Sequence, residues 1–261
     1  MIFEYKDLKI NYEIFESEEA KGSTQKPLLL LHGWMGKIES WAPVYLFFSK
    51  KRKVYVLDFP GQGGKSSELT EAWGVPEYSD MTKAFIENCK IEGCDVMGHS
   101  FGGRVIIYLA SRYKELFDKI LLVDAAGVKK KLSLKTKFKI FTYKVSKKVL
   151  KVFLSKEKYD KKVEEMRKKR GSSDYNALSS DLMRQTFSKI VNLDLTPCLK
   201  DINNSTLLIW GANDQETPLY MAKEMEKRIK DSGLVVFENA GHFSYLDDTS
   251  RFLTIADQFF K

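Results

Sequence analysis

One serine between glycines, three histidines and a few strand-end aspartates are the residues of this chain that could carry out covalent chemistry. Ser100 sits in Gly98-His99-Ser100-Phe101-Gly102, a G-x-S-x-G pattern. The run CDVMGHS from Cys94 reads as a short buried strand, and Val105, Ile106, Leu109 and Tyr113 then recur at helical spacing. A strand turning directly into a helix strains the middle residue and projects its hydroxyl at the helix N-terminus, where free backbone N–H groups can stabilise an oxyanion. The plainer alternative is a glycine-rich turn with an ordinary capping serine.

A serine hydroxyl is a weak nucleophile, so it needs a base, and the base needs an orienting acid. His99 adjoins Ser100, where neighbouring side chains point apart. His32 ends a strand in His-Gly and reads as a loop organiser. His242 lies in NAGHFSYLD, just beyond the strand LVVFE, at the sheet edge where α/β sites assemble. By position and elimination it is the base. Asp214, in WGANDQETP, ends the preceding strand and is the expected acid; Asp124, ending KILLVDAAG, is its rival at the same edge. Asp58 reads as a structural carboxylate tying down the PGQGG loop. For the oxyanion, the N–H of Phe101 and that of Trp34, in the loop after PLLLL, are the expected donors, with Gly33 giving that loop its freedom. Met35 beside them is expected to line an apolar pocket.

Several other chemistries lack their spacing. PGQGGKSS is glycine-rich after a strand but matches neither dinucleotide nor P-loop spacing. Cys89, Cys94 and Cys198 form no metal-ligand cluster with the histidines, and no basic, aromatic pattern marks a nucleic-acid binder. No cofactor, metal or nucleic-acid partner is expected.

The elements that must position these residues alternate along the chain. PLLLL, KVYVLDF, CDVMGH, KILLVDAAG, STLLIWG and LVVFE are continuous apolar runs separated by helical patterns, which indicates a mostly parallel sheet covered on both faces. Phe3 to Phe15 alternates instead, with Lys6-Asp7 as a hairpin turn, and suits antiparallel edge strands. The 261 residues, 43% hydrophobic and 30% charged, allow one large α/β core plus an insertion. Residues 1–127 and 197–261 read as that core. Residues 128–196 contain no strand pattern and read as a helical insertion.

The net charge of +8 is concentrated in that insertion. From Val128 to Arg170 there are 18 Lys or Arg against 4 Asp or Glu, while the remainder holds 25 against 31. Leu134, Phe138, Phe141, Val145, Val149 and Val152 form an apolar stripe there, and Ser173 or Asp174 is expected to cap a later helix. No apolar run approaches the ~20 residues of a membrane span, the N-terminus has no signal-peptide pattern, and the sparse cysteines suit a reducing cytoplasm.

Taken in order, HGW, DFPGQGGKS, GHSFGG, WGANDQETP and AGHFSYLD make the chain resemble the α/β-hydrolases, in their esterase, lactonase and haloperoxidase-like branch with a helical cap. The resemblance implies Ser100, Asp214 and His242 as a catalytic triad and no cofactor. It implies cleavage of an ester, thioester or lactone, a small-molecule acyl substrate, and a lid whose stripe, with Phe138 and Phe141, faces the active-site mouth. Carbon–carbon hydrolysis or a lyase reaction on the same residues, and a ligand receptor of hydrolase fold, are the alternatives. For the basic cap face, a solvated surface, a guide for anionic substrates and peripheral contact with anionic membrane stay open. Oligomeric state is not legible.

Overall fold

The structure is a computed structural model that describes residues 1–130, 134–170, 175, 178 and 180–261. The expected caps Ser173 and Asp174 lie outside the described residues. Strands β1 (Ile2–Tyr5) and β2 (Leu8–Phe15) form an antiparallel hairpin whose turn carries Lys6 at φ 52°. The remaining strands are β3 (Leu28–Leu31), β4 (Val54–Leu57), β5 (Cys94–His99), β6 (Phe117–Val123), β7 (Thr206–Gly211) and β8 (Ser232–Phe237). They pair in parallel, and β2 joins β4 antiparallel, to give one sheet in the order β1-β2-β4-β3-β5-β6-β7-β8. Because the chain moves outward from β3 to β4 and then crosses back to β5, the crevice beyond the carboxyl ends of β3 and β5 is a topological switch point.

Both faces of the inner strands are covered, which is why their sequences are continuously apolar. Leu29, Leu31 and Val96 point into a core shared with α2 (Val75–Cys89) and α3 (Phe101–Ala110), through Tyr78, Phe85 and Ile106. Leu28, Leu30 and Met97 point the other way, against Val44 and Phe48 of α1 (Ala42–Phe48) and Phe252 and Phe260 near the C-terminus. The period-two side-chain alternation of a strand produces this division without any change in composition.

Between β6 and β7 the single crossover helix is replaced by α4 (Leu134–Phe153), α5 (Lys156–Arg170) and α6 (Asp181–Asn192). Ser180 starts α6, its Oγ accepting the Met183 N–H at 3.1 Å. The apolar stripe of α4 is not turned toward the sheet edge. Phe138 and Phe141 are 67% and 63% exposed, and Val145 and Val149 are exposed beside them. The physical reason is that α4 is apolar on two faces: Tyr143 and Leu150, on another side, are half-buried. Helical periodicity identifies apolar faces but not which one finds a partner.

After β7 come α7 (Tyr220–Arg228), a single turn α8 (Ser244–Asp247) and α9 (Thr249–Phe260). Helix α3 approaches β3 so closely that a Cβ on Gly102 would stand 2.2 Å from the Leu31 carbonyl oxygen. Backbone cannot yield as a side-chain tip can. Gly102→Ala is therefore expected to cost at least ~1–3 kcal/mol, the scale of overpacking, and chemical denaturation of the purified variant measures it; an unchanged midpoint would mean that α3 shifts freely.

Candidate active site

The site begins with a backbone distortion. Ser100 lies between β5 and α3 at φ 48°, ψ −106°, outside the regions an L-residue adopts without strain. Three backbone hydrogen bonds hold it there. Its N–H donates to the Val123 carbonyl at 3.1 Å, and its own carbonyl accepts from Gly103 at 3.1 Å and Ala126 at 2.9 Å. Strain of this kind costs ~1–3 kcal/mol and persists only where the surroundings over-determine it.

Ser100 Oγ lies 3.0 Å from His242 Nε2, and His242 Nδ1 lies 2.8 Å from Asp214 Oδ2. With Nδ1–H donating to the carboxylate, the Nε2 lone pair faces the serine hydroxyl. Loops after three different strands thus meet within hydrogen-bond distance: Ser100 after β5, Asp214 after β7 and His242 after β8. Asp214 is itself positioned by a tight turn, its Oδ1 accepting from the N–H groups of Glu216 at 2.8 Å and Thr217 at 2.9 Å. The Thr217 hydroxyl stands 2.6 Å from Asp214 Oδ2. Burial alone would raise the Asp214 pKa, but the hydrogen bonds from His242 and Thr217 outweigh it and hold the carboxyl below its ordinary value. Burial likewise opposes charge on His242, yet the adjacent Asp214 carboxylate prevails and raises its pKa.

The other two histidines are fixed elsewhere. His32 is fully buried; its Nδ1–H donates to the Gly33 carbonyl at 2.8 Å and its Nε2 accepts from the Phe59 N–H at 2.9 Å. It organises the loops after β3 and β4, as expected from its position, and burial lowers its pKa. His99 donates from Nε2 to the His242 carbonyl at 2.7 Å, and burial pushes its pKa down to about 3, so it serves as a neutral support under the loop that carries His242.

The rival carboxylates have other partners. Asp58 accepts from the Ile38 and Lys65 N–H groups and from the Asn11 amide, tying the loop after β4 to the β3 loop and to β2. Asp124, fully buried at φ 44°, makes no hydrogen bond to His242. Its Oδ1 accepts from the Gly211 N–H at 2.8 Å, and its Oδ2 from the Ser244 N–H at 2.9 Å and hydroxyl at 2.6 Å. It braces the end of β7 against the turn after His242. Burial pushes its pKa up to about 6, against those hydrogen bonds.

The N–H groups of Trp34 and Phe101 have no hydrogen-bond partner among the described residues, while the adjacent Met35 N–H donates to Gln62 Oε1 at 3.1 Å. Gly33 is not at positive φ; what it lacks is a Cβ, which would lie 2.6 Å from His99 Nδ1. A cleft of about 810 Å³ opens over Ser100 and His242. Its apolar wall includes Trp34, Met35, Phe101, Leu178, Phe187 and Ile190. Phe138 and Phe141 are not in that wall, so the expectation that they line the pocket is corrected: α6, not the α4 stripe, supplies the apolar cover. Sequence reasoning missed α6 in this role, although its buried Met183, Thr186 and Ile190 follow helical spacing. It also missed Thr217, whose signal was the Asp-x-x-Thr turn after β7. Among the described residues no group of three or more His, Cys, Asp or Glu could hold a metal ion.

Residues 26–249 match the family model described as alpha/beta hydrolase fold. The chain belongs to that family. A Bacillus subtilis AB hydrolase superfamily protein is 26% identical over 254 residues, covering 90% of this chain and 91% of its own. The 2-hydroxymuconate semialdehyde hydrolase of a Pseudomonas strain is 23% identical, covering 89% and 86%. Among solved structures, the enol-lactonase of Burkholderia xenovorans superposes with a TM-score of 0.73 at 16% identity, covering 99% of each chain. The fold and these hydrolase relatives make this α/β-hydrolase an enzyme, a hydrolase. No described helix is long and apolar enough to cross a membrane.

Asp124 is expected to matter for stability before it matters for proton transfer. Asp124→Asn turns one acceptor toward a donor N–H, and a buried mismatch of this kind costs ~1–3 kcal/mol. Urea unfolding should register that loss while the acid limb of the activity profile keeps its position; a displaced limb with unchanged stability would make Asp124 the partner of the base.

Proposed function

We propose that this α/β-hydrolase cleaves carboxylic esters, thioesters or lactones through an acyl-enzyme formed on Ser100. The observation that carries the reading is the continuous chain of contacts from Ser100 Oγ through His242 to Asp214, at 3.0 and 2.8 Å. Ser100 Oγ attacks the substrate carbonyl carbon as its proton passes to His242 Nε2. Asp214 holds the resulting imidazolium and its orientation. The carbonyl oxygen takes up negative charge beside the N–H groups of Phe101 and Trp34, which are free to donate. As the intermediate collapses, His242 returns the proton to the leaving oxygen or sulfur. A water then repeats the sequence, with His242 as base, and releases the acid and the free serine.

In this reading Met35 and the apolar residues of α6 hold the acyl or alcohol part, and residues 128–196 act as a cap on the core formed by 1–127 and 197–261. A cytoplasmic place, which the three sparse cysteines suit, belongs to the same reading. Carbon–carbon bond hydrolysis is the second reading, because relatives at 23% identity are named as hydrolases of 2-hydroxymuconate semialdehyde and of 2-hydroxy-6-oxo-2,4-heptadienoate. The same three side chains would serve it.

Ser100→Ala should remove ~10⁴-fold or more of the turnover on an activated aryl ester without altering the fold, the scale for loss of such a nucleophile. Retention of most of the activity in the purified variant would remove Ser100 from the mechanism.

The pH dependence has a definite sign. His242 must be neutral to act as base, and Asp214 raises its pKa, so kcat/KM should rise with pH through a limb above the ordinary histidine value of ~6.5. Asp214→Asn removes the charge that lifts it. The limb should then move to lower pH while kcat falls by ~10⁴-fold. A limb that stays in place in this variant would assign it to another group.

A further inference from the structure

Among the described residues two arginines are deeply buried, and they are built differently. Arg52, 2% exposed, is fully engaged: Nη1 meets Asp95 Oδ2 at 2.5 Å, Nε donates to Gln25 Oε1 at 3.1 Å and Nη2 to the Phe260 carbonyl at 3.0 Å. That is a structural arginine, remote from the cleft. Arg104 is 7% exposed and lies in the wall of the cleft. Its guanidinium donates one hydrogen bond, from Nη1 to the Leu193 carbonyl at 2.9 Å, and no ion pair with it is present among the described residues. The nearby Asp194 accepts the N–H and hydroxyl of Thr196 on its Oδ1, at 3.0 and 2.6 Å, and forms no ion pair with Arg104.

A guanidinium held out of water without a counterion is costly, and that cost is recovered when an anion enters. Its planar fork matches a carboxylate. Arg104 lies in the first turn of α3, which starts directly after Ser100, and both residues line the same cleft. Among the described residues, the other charged groups of the cleft are Lys130 and Glu216, both exposed at its rim, together with His242 and the neutral His99. None of them answers Arg104 inside.

We propose that Arg104 is an anion-recognition residue and that the substrate is an ester carrying a second, free carboxylate, such as a half-ester of a dicarboxylic acid. The inference rests on the reading of Ser100 as nucleophile for the turnover it predicts, but binding can be tested separately.

The wild-type enzyme is assayed on methyl hydrogen esters of succinic, glutaric, adipic and suberic acids and on the corresponding dimethyl esters. The half-ester of at least one length should be preferred in kcat/KM by roughly 10- to 100-fold, the scale of a buried charge-assisted contact. No preference at any length overturns the proposal. In Arg104→Met the ratio should collapse toward one, and in Arg104→Lys, which keeps the charge and not the fork, it should fall part of the way. Thermal melting separates this from loss of the tie to Leu193: equal loss on both ester types with a lowered melting temperature would make Arg104 merely structural. Calorimetry on Ser100→Ala with the preferred half-ester then reads binding alone. Binding there that requires Arg104 supports the anion site even if Ser100 is shown not to be the nucleophile; absence of binding there, with catalysis intact in the wild type, counts against it.

Discussion

The left-handed backbone at Ser100 is the constraint on which the rest of the structure depends. It is held by the end of β6, by the turn after that strand and by helix α3, whose Gly102 presses against the Leu31 carbonyl. That contact closes β3, β5 and α3 into one rigid unit. It also sets the Ser100 hydroxyl at the switch point of the sheet, the one crevice where loops from both halves of the parallel array converge. Strain of ~1–3 kcal/mol is tolerable in a core of this size because several independent hydrogen bonds enforce it.

Around that point, three histidines take three separate states through their surroundings. His32, without solvent access and with its two ring nitrogens donating and accepting to backbone, is a neutral strut. His99, under the loop of His242, is held neutral by burial. His242, half-buried under the cleft, is the one with a carboxylate on its Nδ1, and its pKa moves in the opposite direction. Burial opposes charge on each of them, and at His242 the facing carboxylate outweighs it.

The carboxylates divide similarly. Asp58 and Asp124 accept from backbone and side-chain donors of other loops and bind those loops together, whereas Asp214 turns Oδ2 to an imidazole and to the Thr217 hydroxyl. The parts therefore reinforce one another. Asp124 fixes the ends of β7 and the turn after His242, and the turn of Asp214 begins at the first of these. The proposed acid and base are thereby referenced to one brace, and a shift in one would be shared by the other. Cover over the cleft comes from α6, which presents Phe187 and Ile190, while the lysine-rich α4 leaves its aromatic ridge outside.

Much of the core was legible because its signals are local. Continuous apolar runs such as Leu28–Leu31 follow from two-sided burial, the Lys6 turn from its position between alternating segments, and the strand-to-helix turn at Ser100 from glycines at fixed offsets. Their positions just beyond the apolar runs STLLIWG and LVVFE put Asp214 and His242 at one sheet edge. What tertiary structure decided was which equivalent group faces which partner. Asp124 and Asp214 end adjacent strands with the same chemistry, and a hydrogen bond to Gly211 or to His242 is a matter of ångströms that no spacing encodes. The two apolar faces of α4 are indistinguishable by period, so only packing could leave Phe138 and Phe141 outside. Arg104 reads, in sequence, as one more charged residue on a helix; its burial, with no ion pair among the described residues, arises because α3 and the end of α6, distant in the chain, close over it.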